Sequence, residues 1–114
     1  MVSNTQKGGF IYLISGELSK ELSSHYRIPK PIYSDEDSVF VAKIGFADNV
    51  HTRFSSNQTS CFINLSLMAF KMVSDKKATE KELHSRYSMN RIRGEWFKFN
   101  RDELLKVEYE VNSL

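Results

Sequence analysis

The 114-residue chain has 40% hydrophobic and 26% charged residues, and its 16 Lys and Arg exceed its 14 Asp and Glu by a net charge of +2. That length fits one domain and excludes a second one dedicated to a cofactor, while eight Phe, five Tyr and one Trp argue against wholesale disorder. The charge is too mild to mark a nucleic-acid binder by itself, and one cysteine, Cys61, cannot form an internal disulfide.

In chain order, Phe10-Ile11-Tyr12-Leu13-Ile14 is rich in aromatic and β-branched residues and predicts a first strand, ended by Ser15-Gly16. Ser15 to Ser38 reads as a long polar connection with a helical turn near Leu18–Leu22. It carries Pro29, Pro31, Tyr26, Arg27, Lys30 and Tyr33, and connections this long are usually functional. Its interleaved cations and aromatics suit phosphate contact and base stacking. Its alternative is a solvated lid or packing loop. Val39 to Phe46 alternates as a second strand, with Val41 and Lys43 on one face and Phe40, Ala42 and Ile44 on the other.

Asp48 is the expected cap of a short helix over Asn49 to Asn57, with Val50 and Phe54 four apart and Arg53 beside them. Ile63 to Val73 predicts a third strand, and Ser74-Asp75 a cap for a helix running to about Ser88. Trp96-Phe97-Lys98-Phe99 reads as a short apolar piece docking on the sheet. Asn100 and Glu103 form a capping-box pattern ahead of a final helix striped by Leu104, Val107 and Val111. The fold class expected is α/β (α+β): a small, three-stranded, largely antiparallel sheet flanked by helices. It forms one domain over 1–114 with an insertion at about 15–38. No apolar run approaches a membrane span and MVSNTQKGG lacks a signal-peptide core, so a cytoplasmic location is expected.

Glu80, Leu83, His84 and Tyr87 share one face of the second helix. A carboxylate on a core-facing stripe is expensive unless paired. Glu80 is therefore an edge residue reaching water or a cation, or else a metal ligand or catalytic acid. His84 is a packed histidine bonded to a neighbour, or a group that orients Glu80. Tyr12 in mid-strand and Arg53 on a helix each have an ordinary packing or solvated reading. Taken together, a phenol, a guanidinium and a carboxylate could handle a phosphodiester.

Five short motifs in order give these residues a context. Phe10-Ile11-Tyr12 stands where the GIY-YIG nucleases have Gly-Ile-Tyr, and Lys43-Ile44-Gly45 where they have Tyr-Ile-Gly. Arg53 follows Gly45 by eight residues, Glu80-Lys81-Glu82-Leu83-His84 is similar to a Glu-x-x-Leu-His element, and Gly94-Glu95-Trp96-Phe97 to a closing Glu-Trp-Phe signature. Over residues 9 to 99 the chain thus resembles the short phage and bacterial branch of that superfamily. The resemblance implies hydrolysis of DNA phosphodiester bonds with one Mg²⁺ or Mn²⁺. Tyr12 would be the base, Arg53 would bind the phosphate and Glu80 the metal, with Lys43 and His84 in support. Arg27 and Lys30 are further candidates for substrate contact. A homodimer or a targeting partner would supply recognition that so small a domain lacks. The competing reading is a non-catalytic nucleic-acid or protein-binding module of the same fold.

Overall fold

Residues 7–18 and 39–114 are described in the computed structural model of the chain. Strands β1 (Gly9–Leu18) and β2 (Val39–Ala47) are followed by helix α1 (Val50–Thr59), strand β3 (Ser66–Val73) and helix α2 (Lys76–Arg86). A 3₁₀ turn (Ser88–Asn90), strands β4 (Arg91–Arg93) and β5 (Trp96–Asn100) and helix α3 (Arg101–Asn112) complete the chain. The expected helical turn after Leu18, and both Arg27 and Lys30, fall outside the described residues, whereas Ser15 to Leu18 continue β1.

The sheet has five strands in the order β3-β1-β2-β5-β4, every pair antiparallel. Among the described residues the expected three-stranded sheet is therefore corrected to five strands, with three helices. Trp96 to Phe99 does not merely dock on the sheet. It pairs with β2 from Val39↔Asn100 to Lys43↔Trp96, and its alternation buries Phe97 and Phe99 while Trp96 and Lys98 face the other way. Gly94, with φ +58, lets Arg91–Arg93 fold back as β4. Two charged residues around Ile92 carry no apolar alternation, so nothing in the pattern announces that strand.

The third strand begins at Ser66 rather than Ile63 because Gln58 intervenes. Its amide donates to the Ile63 carbonyl at 3.0 Å and its oxygen accepts from Leu65 N–H at 2.7 Å. Those backbone groups are satisfied without a partner strand, and Ile63 and Leu65 stay buried. Asn49, not Asp48, caps α1 by accepting from Thr52 N–H at 3.0 Å, while Asp48 lies 3.5 Å from Lys76 Nζ. Asp75 caps α2. Asn100 and Glu103 form the reciprocal box on α3, at 2.8 and 2.9 Å.

Strand alternation gives the sheet two cores. Ile11, Leu13, Ala42, Ile44, Phe97 and Phe99 pack against Leu83 and Tyr87 of α2 and Leu104, Val107 and Val111 of α3. On the other face Tyr12 and Ile14 pack with Ala47, Val50, Ile63 and Leu65, joined by Phe54 and Trp96. Each large buried side chain is worth about 1.5–3 kcal/mol of transfer free energy. Phe97→Ala would remove about 3–5 kcal/mol, because it empties the junction of β5 with α2. No helix among the described residues is long and apolar enough to cross a membrane.

Candidate active site

Tyr12 sits in mid-β1 directly opposite Gly45 of β2. The pairing needs a glycine: a Cβ on Gly45 would lie 2.6 Å from the Tyr12 hydroxyl, 2.7 Å from its Cζ and 2.8 Å from Glu95 Oε1. The ring therefore crosses the bare backbone of β2 and aims its hydroxyl at the far side, where the turn between β4 and β5 brings Glu95. Tyr12 is fully buried, and its hydroxyl makes no hydrogen bond; the Asn57 and Arg53 side chains approach it without completing one.

Lys43, two residues before Gly45, shares its face. Its ammonium donates to Asn57 Oδ1 at 2.8 Å and lies 3.8 Å from Glu95 Oε1. Asn57 is one helical turn after Arg53 on α1, and its amide donates to the Arg53 carbonyl at 3.0 Å. Arg53 is itself exposed, so its guanidinium is open to a ligand while remaining beside Tyr12.

From the opposite core, α2 contributes Glu80 and His84. Strand β5 begins at Trp96, opposite Lys43, so β2 has no β5 partner beyond that point. The Ile44 N–H is satisfied by the Glu95 carbonyl at 3.3 Å. The Ile44 carbonyl accepts from His84 Nε2 at 2.7 Å. A carbonyl can only accept, so Nε2 carries the hydrogen. His84 thus pins α2 to the open stretch of β2, and Glu80 stands one turn earlier with Oε2 buried and without a hydrogen-bond partner.

The charges in this cluster act on one another. Burial pushes the Tyr12 phenol above its ordinary 10.0, and Glu95 adds to the rise; Asn57 and Arg53 oppose it. Burial also holds the Glu80 carboxyl above its ordinary 4.5, and Glu95 reinforces this against the pull of His84, Lys43 and Arg53. Tyr12, Lys43, Arg53, Glu80 and His84 therefore occupy one neighbourhood. Glu95 and Asn57 join them although the sequence reading gave neither a role. Asn57 was findable four residues after Arg53 on the same helix face, and Glu95 stood in the Gly94-Glu95-Trp96-Phe97 motif.

Among the described residues no group of three or more His, Cys, Asp or Glu is arranged to hold a metal. Glu80 and Glu95 each keep a buried carboxylate oxygen without a hydrogen bond. Such an oxygen set fits a hard cation, since Mg²⁺ uses one or two carboxylates and completes its shell with water and substrate phosphate.

A family model, the T5orf172 domain, matches residues 9–111. The chain belongs to the T5orf172 domain family. Its match replaces the resemblance to GIY-YIG nucleases, which rested on motifs of three to five residues and stopped at Phe99. The T5orf172 match runs on through most of α3 and does not indicate GIY-YIG. T5orf172 domains are nuclease-like and DNA-binding in general. No curated protein and no solved structure matches the chain.

Proposed function

We propose that this T5orf172 domain hydrolyses DNA phosphodiester bonds, with Tyr12 as base, Arg53 on the scissile phosphate and Glu80 holding Mg²⁺ or Mn²⁺. The observation that supports the reading is an unbonded Tyr12 hydroxyl against the bare Gly45 backbone with an exposed Arg53 beside it, and an unbonded Glu80 oxygen on the helix that His84 ties to the neighbouring Ile44 carbonyl. When bound, the cation supplies charge to stabilise the leaving oxygen. Arg53 offers a planar fork of donors for two phosphate oxygens. Tyr12, once its own phenol proton has passed to solvent, takes a proton from the water that attacks phosphorus. As that P–O bond forms, the bond to the leaving oxygen breaks, and the leaving oxygen is protonated from solvent.

Burial and Glu95 hold the phenol protonated in the free chain, and Asn57 and Arg53 act against them toward the phenolate that this step needs. Lys43 holds Asn57 in place through its 2.8 Å hydrogen bond. His84 fixes the helix that presents Glu80. In the same reading Arg27 and Lys30 are further candidates for contact with DNA.

The test is supercoiled plasmid incubated with the full chain in Mn²⁺ or Mg²⁺ and in EDTA. Nicked or linear product is expected with metal and none with EDTA. Glu80→Gln and Tyr12→Phe should lose cleavage while still retarding DNA on a gel. Equal rates for Glu80→Gln and the parent would overturn the role of Glu80. DNA retardation without cleavage by the parent would instead favour a binding module.

A further inference from the structure

The Glu95 carboxylate has a long ion pair with Lys43 and no hydrogen bond at Oε1. Lys43 lies 3.8 Å from that oxygen and directs its short 2.8 Å bond to Asn57. Glu95 Oε1 is buried without a hydrogen bond, as is Glu80 Oε2. A third oxygen, the hydroxyl of the wholly buried Tyr12, is also unbonded, and it flanks the same bare Gly45 backbone as Glu95. Glu80 rides on the helix that His84 bonds to the Ile44 carbonyl, and the Glu95 carbonyl takes the Ile44 N–H, so the elements carrying these three oxygens meet at Ile44 and Gly45. Buried oxygens without a hydrogen bond are costly unless a cation joins them. We propose that Glu95 is a second metal-binding carboxylate, so that Glu80 and Glu95 together grip one divalent cation against the Tyr12 hydroxyl.

The choice of Mg²⁺ or Mn²⁺ as the cation rests on the nuclease reading above; the pairing of the two carboxylates rests on His84 of the Glu80 helix and Glu95 both bonding the Ile44 backbone. Oxygen donors without sulfur or imidazole suit Mg²⁺ and Mn²⁺ over softer metals. Glu80 comes from a helix on one face of the sheet and Glu95 from a turn at its end, so the cation would also tie α2 to the β4–β5 hairpin. In the free chain Glu95 raises the proton affinity of both Tyr12 and Glu80.

The experiment is Mn²⁺ titration of the full chain, with free Mn²⁺ read by electron paramagnetic resonance and thermal melting run in parallel. The parent, Glu80→Gln, Glu95→Gln and Glu95→Asp are compared, and plasmid cleavage is measured on the same samples. Glu95→Gln should weaken Mn²⁺ at least about tenfold, since even groups that only support a ligand cost 10–100-fold. It should keep the parent's metal-free melting temperature and lose the rise that Mn²⁺ gives the parent. Glu95→Asp keeps the charge on a shorter arm and should fall between the two.

Parent-like Mn²⁺ affinity in Glu95→Gln overturns the proposal. Should that variant lose its cooperative melt, parent-like affinity in Glu95→Asp overturns it instead. A parent that binds no Mn²⁺ overturns it as well. Mn²⁺ binding that depends on both carboxylates, without any DNA cleavage, would sink the nuclease reading and leave the metal site standing. Cleavage by the parent with unaltered metal binding in Glu95→Gln would do the reverse.

Discussion

Tyr12 carries a conflict between packing and chemistry that single substitutions can expose. Its ring is core, but its hydroxyl is buried without a hydrogen bond. Removing an unsatisfied hydroxyl costs the fold little or stabilises it. Tyr12→Phe should therefore keep or raise the melting temperature while cutting DNA cleavage by roughly 10²-fold or more, the scale of a lost general base. A parallel loss of stability and activity would make Tyr12 a packing residue only. The pH response has a definite sign. A phenol held above 10.0 by burial and Glu95 contributes stability that is present below its unfolded pKa and lost as pH rises through the folded one. The parent should lose melting temperature in strong alkali more steeply than Tyr12→Phe. Glu80 follows the same rule at the acid end, because burial and Glu95 hold its pKa above 4.5. Glu80→Gln should melt higher than the parent at neutral pH, with the difference shrinking as pH falls toward 4.5. Gly45→Ala would drive a methyl group to within 2.6 Å of the Tyr12 hydroxyl and should cost about 1–3 kcal/mol through overpacking, read by denaturant melts.

Among the elements, α2 depends on one polar contact to reach the site. His84→Ala leaves the Ile44 carbonyl without the 2.7 Å bond from Nε2, at a cost of about 1–3 kcal/mol for an unsatisfied buried acceptor. The melting temperature should fall by several degrees, about 4–8 °C per kcal/mol in a domain near this size. Metal affinity should fall with it, because Glu80 rides on the freed helix. An unchanged melting curve would refute the contact. The same contact shows where sequence reading stops. The face shared by Glu80, Leu83, His84 and Tyr87 was legible from helical spacing, and it correctly raised a bonded neighbour for His84. The identity of that neighbour depends on β2 lacking a β5 partner beyond Lys43, a matter of strand pairing forty residues away. Strands β1 and β2 and the three helices among the described residues were legible because apolar periodicity and caps announce them. The β4–β5 hairpin was not: Arg91–Arg93 has no apolar alternation, and four residues from Trp96 fit either a docked piece or a strand. Gln58 standing in for a strand partner at Ile63 and Leu65 leaves no trace in periodicity at all.

For the molecule as a whole, a net charge of +2 places few cations against DNA. Binding should weaken with salt at a slope of about 0.9 per phosphate neutralised, so a shallow slope is expected. Arg53→Ala should lower that slope by about one contact with little effect on which sequences are bound. Fluorescence anisotropy across a salt series would check both, and an unchanged slope would remove Arg53 from the phosphate. The order of the sheet carries one more consequence. Strand β1 has hydrogen-bonded neighbours on both sides, whereas β4 is a three-residue edge. In hydrogen–deuterium exchange the β1 amides should be the last to take up deuterium, opening only when the entire domain unfolds, while the β4 amides exchange by local fraying. Tyr12 is thus mounted on the longest-lived part of the chain and Glu95 beside the shortest-lived. Under mild denaturant the domain would lose the Glu95 arm first and keep Tyr12 in place until the final global transition.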